Sequence, residues 1–206
     1  MTFATAVATP GRLSRSPCRG AGDVGLWNDG ITLATGRVHE LCGAARRTLA
    51  LHIAAAAGAP VIWIAPAHAP VVLNADGIAA LAAPQSILFV SAERETDMLW
   101  AMEEALRSGA VSTVIADLAA APAMTPVRRL HLAAETGASA GHCKPLGLLL
   151  TPGAGGAQGI ETRWQMDPTH APGQNRWTLI RSRARMAPPA RWQVDADRLV
   201  PQPGQA

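Results

Sequence analysis

The sequence predicts an α/β fold, in which a mostly parallel sheet is flanked by helices and followed by antiparallel C-terminal strands. Two observations support the parallel part: short continuous apolar runs, and segments with helical spacing that alternate with them from residue 37 to residue 150. Such alternation is typical of parallel sheets, because a helix usually forms each crossover. The length of 206 residues is sufficient for one domain of this kind.

Five segments have the pattern of strands. The first alternates between apolar and polar residues, and the others are apolar runs of the kind found in strands buried on both faces. Leucine, isoleucine and valine dominate these runs, which lie next to glycine, proline or serine. The predicted strands are residues 37–42, 60–65, 86–91, 111–116 and 146–150.

Four segments between these strands have helical patterns. Asp76 and Thr125 are predicted N-caps of two of them, because their side-chain oxygens can accept hydrogen bonds from the first free amides. Gly58, Gly109 and Gly137 are predicted to end three of them. The predicted helices are residues 44–57, 76–82, 93–108 and 125–136.

The segment after residue 160 has a different organisation. Residues 162–166, 176–185 and 191–194 are strand-like with no helix between them, which predicts an antiparallel extension of the sheet. The glycine-rich stretch 151–159 is expected to be a mobile loop. We therefore predict a single domain over 23–196, with a core at 36–151 and a C-terminal extension at 160–195. Residues 1–22 and 197–206 are predicted to be flexible tails.

Charge and hydropathy limit the partners. A net charge of +3 and a pI near 9.2 permit DNA contact without requiring it. We recognise neither a secretory signal nor a membrane-spanning segment, so we expect a cytoplasmic protein that makes no membrane contact. The 18 basic residues include a single lysine, Lys144, which leaves little room for lysine-dependent chemistry. We predict no metal site, because the histidines and cysteines lack metal-ligand spacing.

The junction between the first predicted strand and the first predicted helix is where many α/β proteins bind phosphate. A P-loop reads GxxxxGK[ST], in which lysine contacts the phosphate oxygens and Ser or Thr binds magnesium. Here Gly43 begins a shorter loop, Arg46 or Arg47 occupies the lysine region, and Thr48 comes too early. Asp117, at the end of an apolar strand, has the position of a magnesium-binding aspartate.

These five residues have two interpretations. They form either a shortened nucleotide site or a tight strand-to-helix turn with solvated arginines and a polar strand end. We favour the turn, because a planar guanidinium does not replace the compact lysine ammonium of a P-loop.

The C-terminal extension is rich in arginine. Arg181, Arg183 and Arg185 occupy alternate positions, which place them on one face of a strand, and Arg176 and Arg191 add to this basic edge. One interpretation is contact with DNA phosphates or with an acidic partner. The other is an edge strand that is charged to prevent aggregation.

Three segments carry a resemblance to a known family. Residues 99–110, LWAMEEALRSGA, are similar to the "WAxEQALRSGA" helix of the ImuA proteins, which are grouped with the SulA cell-division inhibitors. Residues 30–43, GITLATGRVHELCG, resemble the segment that leads into the P-loop of the RecA ATPase core. Residues 128–135, RRLHLAAE, are similar to the family's "RRLQLAAE".

The resemblance implies a RecA-like fold with a degenerate P-loop and no cofactor. It implies a non-catalytic adaptor in SOS-induced, error-prone translesion DNA synthesis. The implied partners are an ImuB-like relative of the Y-family polymerases, an error-prone DNA polymerase and RecA. Trp100 and Arg107, on the most similar helix, are the predicted partner contacts, and the arginines of the extension are the predicted weak DNA contact. Two alternatives stay open: a SulA-like inhibitor that binds FtsZ, and a weak ATPase with an altered P-loop.

Overall fold

The computed structural model describes residues 22–28, 30–68, 73–195 and 198–202. The helices are α1 (Arg46–Ala57), α2 (Ala75–Ala79), α3 (Glu95–Ser108) and α4 (Met124–Ala140). The strands are β1 (Val24–Leu26), β2 (Ile31–Leu33), β3 (Val38–Cys42), β4 (Val61–Pro66), β5 (Ile87–Ala92), β6 (Thr113–Asp117), β7 (Leu146–Leu150), β8 (Thr162–Pro168), β9 (Arg176–Ala184), β10 (Ala190–Asp195) and β11 (Arg198–Gln202).

Nine strands form one sheet in the order β11-β10-β9-β8-β3-β7-β6-β4-β5, and β1 pairs with β2 in a separate hairpin. The pairings from β5 across to β8 are parallel. The pairings among β8, β9, β10 and β11 are antiparallel. The predicted fold class is therefore confirmed: the chain is an α/β protein with a mostly parallel sheet, flanking helices and antiparallel C-terminal strands, consistent with a RecA-like fold.

Two apolar layers cover the parallel strands, one on each face of the sheet. Helix α1 buries Leu49 and Ile53 on one face, together with the β1–β2 hairpin. Helices α3 and α4 bury Met102, Leu106 and Leu130 on the other face. Each such side chain contributes roughly 1.5–3 kcal/mol relative to an exposed one. The carboxyl ends of the parallel strands lie at one edge of these layers, where the loops that follow them meet.

Two predicted caps are wrong. The N-cap of α2 is Asn74, whose Oδ1 accepts a hydrogen bond from the Asp76 amide at 2.9 Å. Helix α4 begins at Met124 after Ala123, so Thr125 lies inside its first turn. Gly137 does not end α4 either, since the helix continues to Ala140. The glycine is needed there for packing, because a Cβ would lie 2.0 Å from the carbonyl oxygen of Leu106 in α3.

Other differences concern the margins of the sheet. Strand β5 is an edge strand with Leu88 and Phe89 exposed, not a strand buried on both faces. The predicted C-terminal tail contains strand β11, which pairs with β10. Strands β1 and β2 were not predicted, because three residues are too few to establish a period. Residues 1–21 of the predicted N-terminal tail lie outside the described residues.

Candidate functional site

The loop between β3 and α1 is held against the end of β8. Gly43 has a φ of +86°, and its amide donates to the carbonyl oxygen of Gly153 at 2.9 Å. A Cβ at this position would lie 2.4 Å from the Met166 carbonyl oxygen. Only glycine fits this loop, because both the backbone angle and the contact exclude a side chain.

The amides that follow Gly43 donate to acceptors of the chain itself. The Ala44 amide donates to Oδ1 of Asp167 at 2.8 Å, and the Ala45 amide donates to the Met166 carbonyl oxygen at 2.9 Å. Asp167 is held in turn by Gln165, whose Nε2 donates to its other carboxylate oxygen at 2.7 Å. A carboxylate therefore lies at the helix N-terminus, where a P-loop would bind a phosphate anion.

The sequence-predicted site residues come together beside this loop. Arg47 Nε donates to Asp117 Oδ2 at 2.5 Å, and Arg46 Nε lies 3.9 Å from Oδ1. Arg46 also donates from Nη1 to the Gly43 carbonyl oxygen at 3.2 Å. Thr48 lies half-buried in the first turn of α1. Two arginines thus compensate the charge of the carboxylate that would bind magnesium in a nucleotide site.

Glu40 is a site residue that sequence reasoning missed. It is fully buried on β3 and accepts hydrogen bonds from Arg163 Nε at 2.5 Å and Thr151 Oγ1 at 2.7 Å. Its Oε1 also accepts from the amides of Gly156 and Ala157 at 2.8 and 3.0 Å. These bonds anchor the glycine-rich stretch 151–159, which was predicted to be mobile. A buried charge followed far along the chain by arginine gives no local pattern, so only the fold could reveal it.

His39 is buried next to Glu40 on β3, at the centre of a chain of hydrogen bonds. Trp164 Nε1 donates to Thr162 Oγ1 at 2.7 Å, and the same oxygen lies 2.7 Å from His39 Nδ1. His39 Nε2 lies 2.9 Å from the carbonyl oxygen of Ala34. That carbonyl can only accept, so Nε2 carries the proton and Nδ1 is unprotonated. Burial lowers the pKa of His39 to about 4.

Cys42 ends β3 immediately before the loop, and it is buried. Burial, together with the nearby charge of Glu40, raises the pKa of its thiol to about 11. A thiol with such a pKa stays protonated near neutral pH, which disfavours nucleophilic chemistry at this position.

The prediction that Arg181, Arg183 and Arg185 share a face is wrong. A β-bulge shifts the register of β8 and β9, so that Arg181 lies opposite Trp164 and Arg183 opposite Arg163. The intervening Ser182 has no partner on β8 in the described register, and the two arginines point to opposite faces. Arg181 packs over the rings of Trp164 and Trp192, at 5.5 and 5.3 Å from their centroids.

The other arginines of the extension lie elsewhere. Strands β9 and β10 are interior strands, so the interpretation of a charged edge strand is also wrong. Arg185 follows β9 and lies 3.8 Å from Glu161. The pairings of β8–β11 place four arginines on the face opposite α1, where Arg176 is 3.4 Å from Asp195. We call this the outer face, and its arginines are Arg176, Arg183, Arg191 and Arg198.

Helix α3 presents the predicted partner contacts at the surface. Trp100 is 61% exposed and lies at a groove between α3 and α4 that Leu99, Pro126 and Leu130 also line. Arg107 forms ion pairs with Glu103, at 2.5 Å, and with Glu104. Glu103 binds Arg129 of α4 as well, so these charges connect the two helices.

Within the part of the chain that the structure describes, no three His, Cys, Asp or Glu side chains are grouped closely enough to hold a metal ion. No helix among the described residues has the length and hydropathy needed to cross a membrane.

No protein-family model matches the chain, and no curated protein matches it. The resemblance to the ImuA proteins thus depends on the sequence motifs quoted above.

Proposed function

We propose that the chain is a non-catalytic RecA-like adaptor of SOS-induced, error-prone translesion DNA synthesis. It acts in the cytoplasm with an ImuB-like relative of the Y-family polymerases and an error-prone polymerase, and it contacts RecA. The proposal combines the motifs of residues 99–110 and 128–135 with the geometry of the β3–α1 loop.

The observation that carries the non-catalytic part is the occupied loop. The amides of Gly43, Ala44 and Ala45 donate to acceptors of this chain, and one of these acceptors is the Asp167 carboxylate. A nucleotide phosphate at the same place would have to displace this carboxylate and overcome its repulsion. The Arg47–Asp117 pair would also have to open before Asp117 could bind magnesium.

The observation that favours partner binding is the exposed Trp100. Single exposed apolar residues are ordinary, but tryptophan beside an apolar groove is the kind of residue that dominates protein interfaces. Glu103 and Arg129 line the groove and form an ion pair at its rim, and Arg107 pairs with Glu103 beside it. We therefore place the partner contact on α3 and its groove with α4.

A binding assay with purified ImuB and RecA tests the adaptor function. We expect at least one of them to be retained by the wild-type chain, and Trp100→Ala to weaken that binding at least tenfold, as is typical of an interface hot spot. Leu132→Ala is the matched control, because Leu132 on α4 is exposed to nearly the same fraction as Trp100, 63% against 61%. Failure of both proteins to bind would contradict the adaptor function. Equal effects of the two variants would contradict the assignment of the partner contact to α3 and its groove with α4.

A calorimetric titration with Mg·ATP tests the non-catalytic part. We expect no binding heat, because the loop amides are already occupied. Saturable binding that Arg47→Ala abolishes would instead support the alternative of a weak ATPase. Overexpression tests the alternative of a SulA-like inhibitor of FtsZ, because such an inhibitor would make cells filament without DNA damage.

A further inference from the structure

We propose that β5 is a dimerisation edge, which pairs antiparallel with β5 of a second copy of this chain about a two-fold axis. The two nine-stranded sheets then form one continuous sheet. This inference concerns assembly and does not depend on the adaptor function.

The first observation is the chemistry of the edge. In the described register, β5 pairs with β4 on one side, and it stands at the end of the sheet on the other. Its sequence, ILFVSA, contains neither a charge nor a proline. Leu88 and Phe89 are 62% and 49% exposed, on opposite faces of the strand. Natural proteins usually protect such an edge with charges, proline or a bulge, because its free backbone groups attract other strands.

The second observation is the contrast with the opposite edge. Strand β11 begins with the exposed Arg198 and contains Pro201, which has no amide hydrogen to donate to another strand. Each copy therefore offers one open edge and one protected edge. Pairing through β5 uses up the open edge of both copies, so that assembly stops at two chains instead of growing into a fibre.

The third observation favours a second copy over a different partner. In a two-fold antiparallel pair the residue at the axis faces its own copy, and the other residues of a short strand lie near theirs, so charges on it would come close to like charges. Strand β5 has no charged residue over its whole length and avoids this repulsion. Antiparallel pairing places the apolar residues of one strand beside those of the other, and such cross-strand pairs stabilise a sheet.

The dimer should be concentration-dependent. A six-residue edge buries less surface than a typical permanent interface. We therefore expect a dissociation constant on the order of micromolar, rather than the permanent dimer that a larger interface would give.

Sedimentation velocity of the full chain over about 1–200 µM, a range that brackets a micromolar constant, tests this inference. We expect the wild-type chain to shift from monomer to dimer, and amide hydrogen exchange of residues 87–92 to slow as it does so. The double variant Leu88→Glu, Phe89→Glu should stay monomeric, because it would place two carboxylates of each copy in the strand pairing and bring like charges together near the axis. Val200→Glu is the matched control, since Val200 is 47% exposed on β11.

Two results would overturn the inference. One is a wild-type chain that stays monomeric over the whole range. The other is a dimer that the β5 double variant leaves intact, or that Val200→Glu disrupts to the same extent. Circular dichroism of each variant establishes that it is folded. If the double variant does not fold, Ser91→Lys provides the same test with one charge, because Ser91 is an exposed β5 residue.

Discussion

At the residue scale, His39 makes the stability of the fold depend on pH. Its folded pKa of about 4 lies below the ordinary histidine pKa of 6.5, so on acidification the unfolded chain takes up the proton first. The contribution of neutral His39 to the free energy of unfolding is fully present above pH 6.5 and is lost as the pH falls towards 4. At pH 4 this loss reaches about 3 kcal/mol. Urea denaturation at pH 7 and at pH 4.5 measures it.

His39→Gln should be less stable at pH 7 but should lose less stability on acidification. His142→Gln, at an exposed position, should keep the acid sensitivity of the wild type. The same acid sensitivity in His39→Gln and in the wild type would mean that other groups cause it.

The buried carboxylate of Glu40 should contribute more to stability than any surface acid. Glu40→Gln leaves Arg163, whose side chain is 18% exposed, without its counter-charge, and breaking such a pair costs about 3 kcal/mol. The loop 151–159 should then exchange its amide hydrogens faster, because the neutral amide oxygen of glutamine accepts weaker hydrogen bonds from the Gly156 and Ala157 amides than the carboxylate does. Glu104→Gln is the control: Glu104 is 46% exposed, so its loss should change stability by no more than about 0.5 kcal/mol.

At the element scale, the bulge in β9 gives two neighbouring arginines different roles. Arg181 packs over two tryptophan rings and donates to the Pro188 carbonyl oxygen at 3.0 and 3.2 Å, whereas Arg183 is exposed on the outer face. Arg181→Ala should destabilise the fold by about 1–2 kcal/mol, through lost cation–π and stem contacts. Arg183→Ala should change stability by less than about 0.5 kcal/mol. Chemical denaturation compares them, and equal effects would contradict the assignment of faces.

The same element shows where sequence reasoning ends. The alternation of side chains along a strand assigns each residue to a face only while the pairing register is unbroken. The sequence of residues 181–185, RSRAR, contains nothing that predicts a bulge at Ser182. Gly109 was predicted to end α3, and it does, because it adopts a φ of +55° as the C-cap. Gly137 is also a glycine, but it is required for a different reason, which is the close approach of α4 to α3 at this position. A contact between two helices leaves no local sequence pattern from which it could be predicted.

The candidate site divides in the same way. The strand-end rule singled out Gly43, Arg46, Arg47 and Asp117, because they flank the ends of parallel strands, but the sequence did not predict that the two arginines pair with Asp117. Asp167 could not be predicted, since it lies 123 positions after Ala44 on a strand that reaches the loop only through the topology of the sheet.

At the scale of the whole molecule, the sheet has two halves with different exposed chemistry. The parallel half is covered by helices on both faces, and Asp167 occupies the position where a P-loop would bind phosphate. The antiparallel half packs one face against α1 and exposes arginines on the other. With a net charge of +3, the outer face is where a polyanion would bind if the chain contacts DNA directly.

Single-stranded DNA binding should therefore be weak and sensitive to salt. Asp195 compensates Arg176, which leaves Arg183, Arg191 and Arg198 to neutralise phosphates. Each phosphate contact on a single strand contributes about −0.7 to the slope of log K against log salt, so we expect a slope of about −2. Fluorescence anisotropy at several salt concentrations measures the slope. The double variant Arg183→Ala, Arg191→Ala should reduce it to about −0.7, because a single contact remains.

The matched control is Arg94→Ala, because Arg94 is exposed directly before α3, beyond the carboxyl end of β5 and at the opposite edge of the sheet. It removes one positive charge, against two in the double variant, and leaves the outer face intact, so the slope should stay near −2, as counterion release depends on local phosphate contacts. An equal reduction per arginine in both variants would mean that net charge, rather than the outer face, attracts the DNA. A slope that neither variant changes would contradict phosphate contact by these arginines.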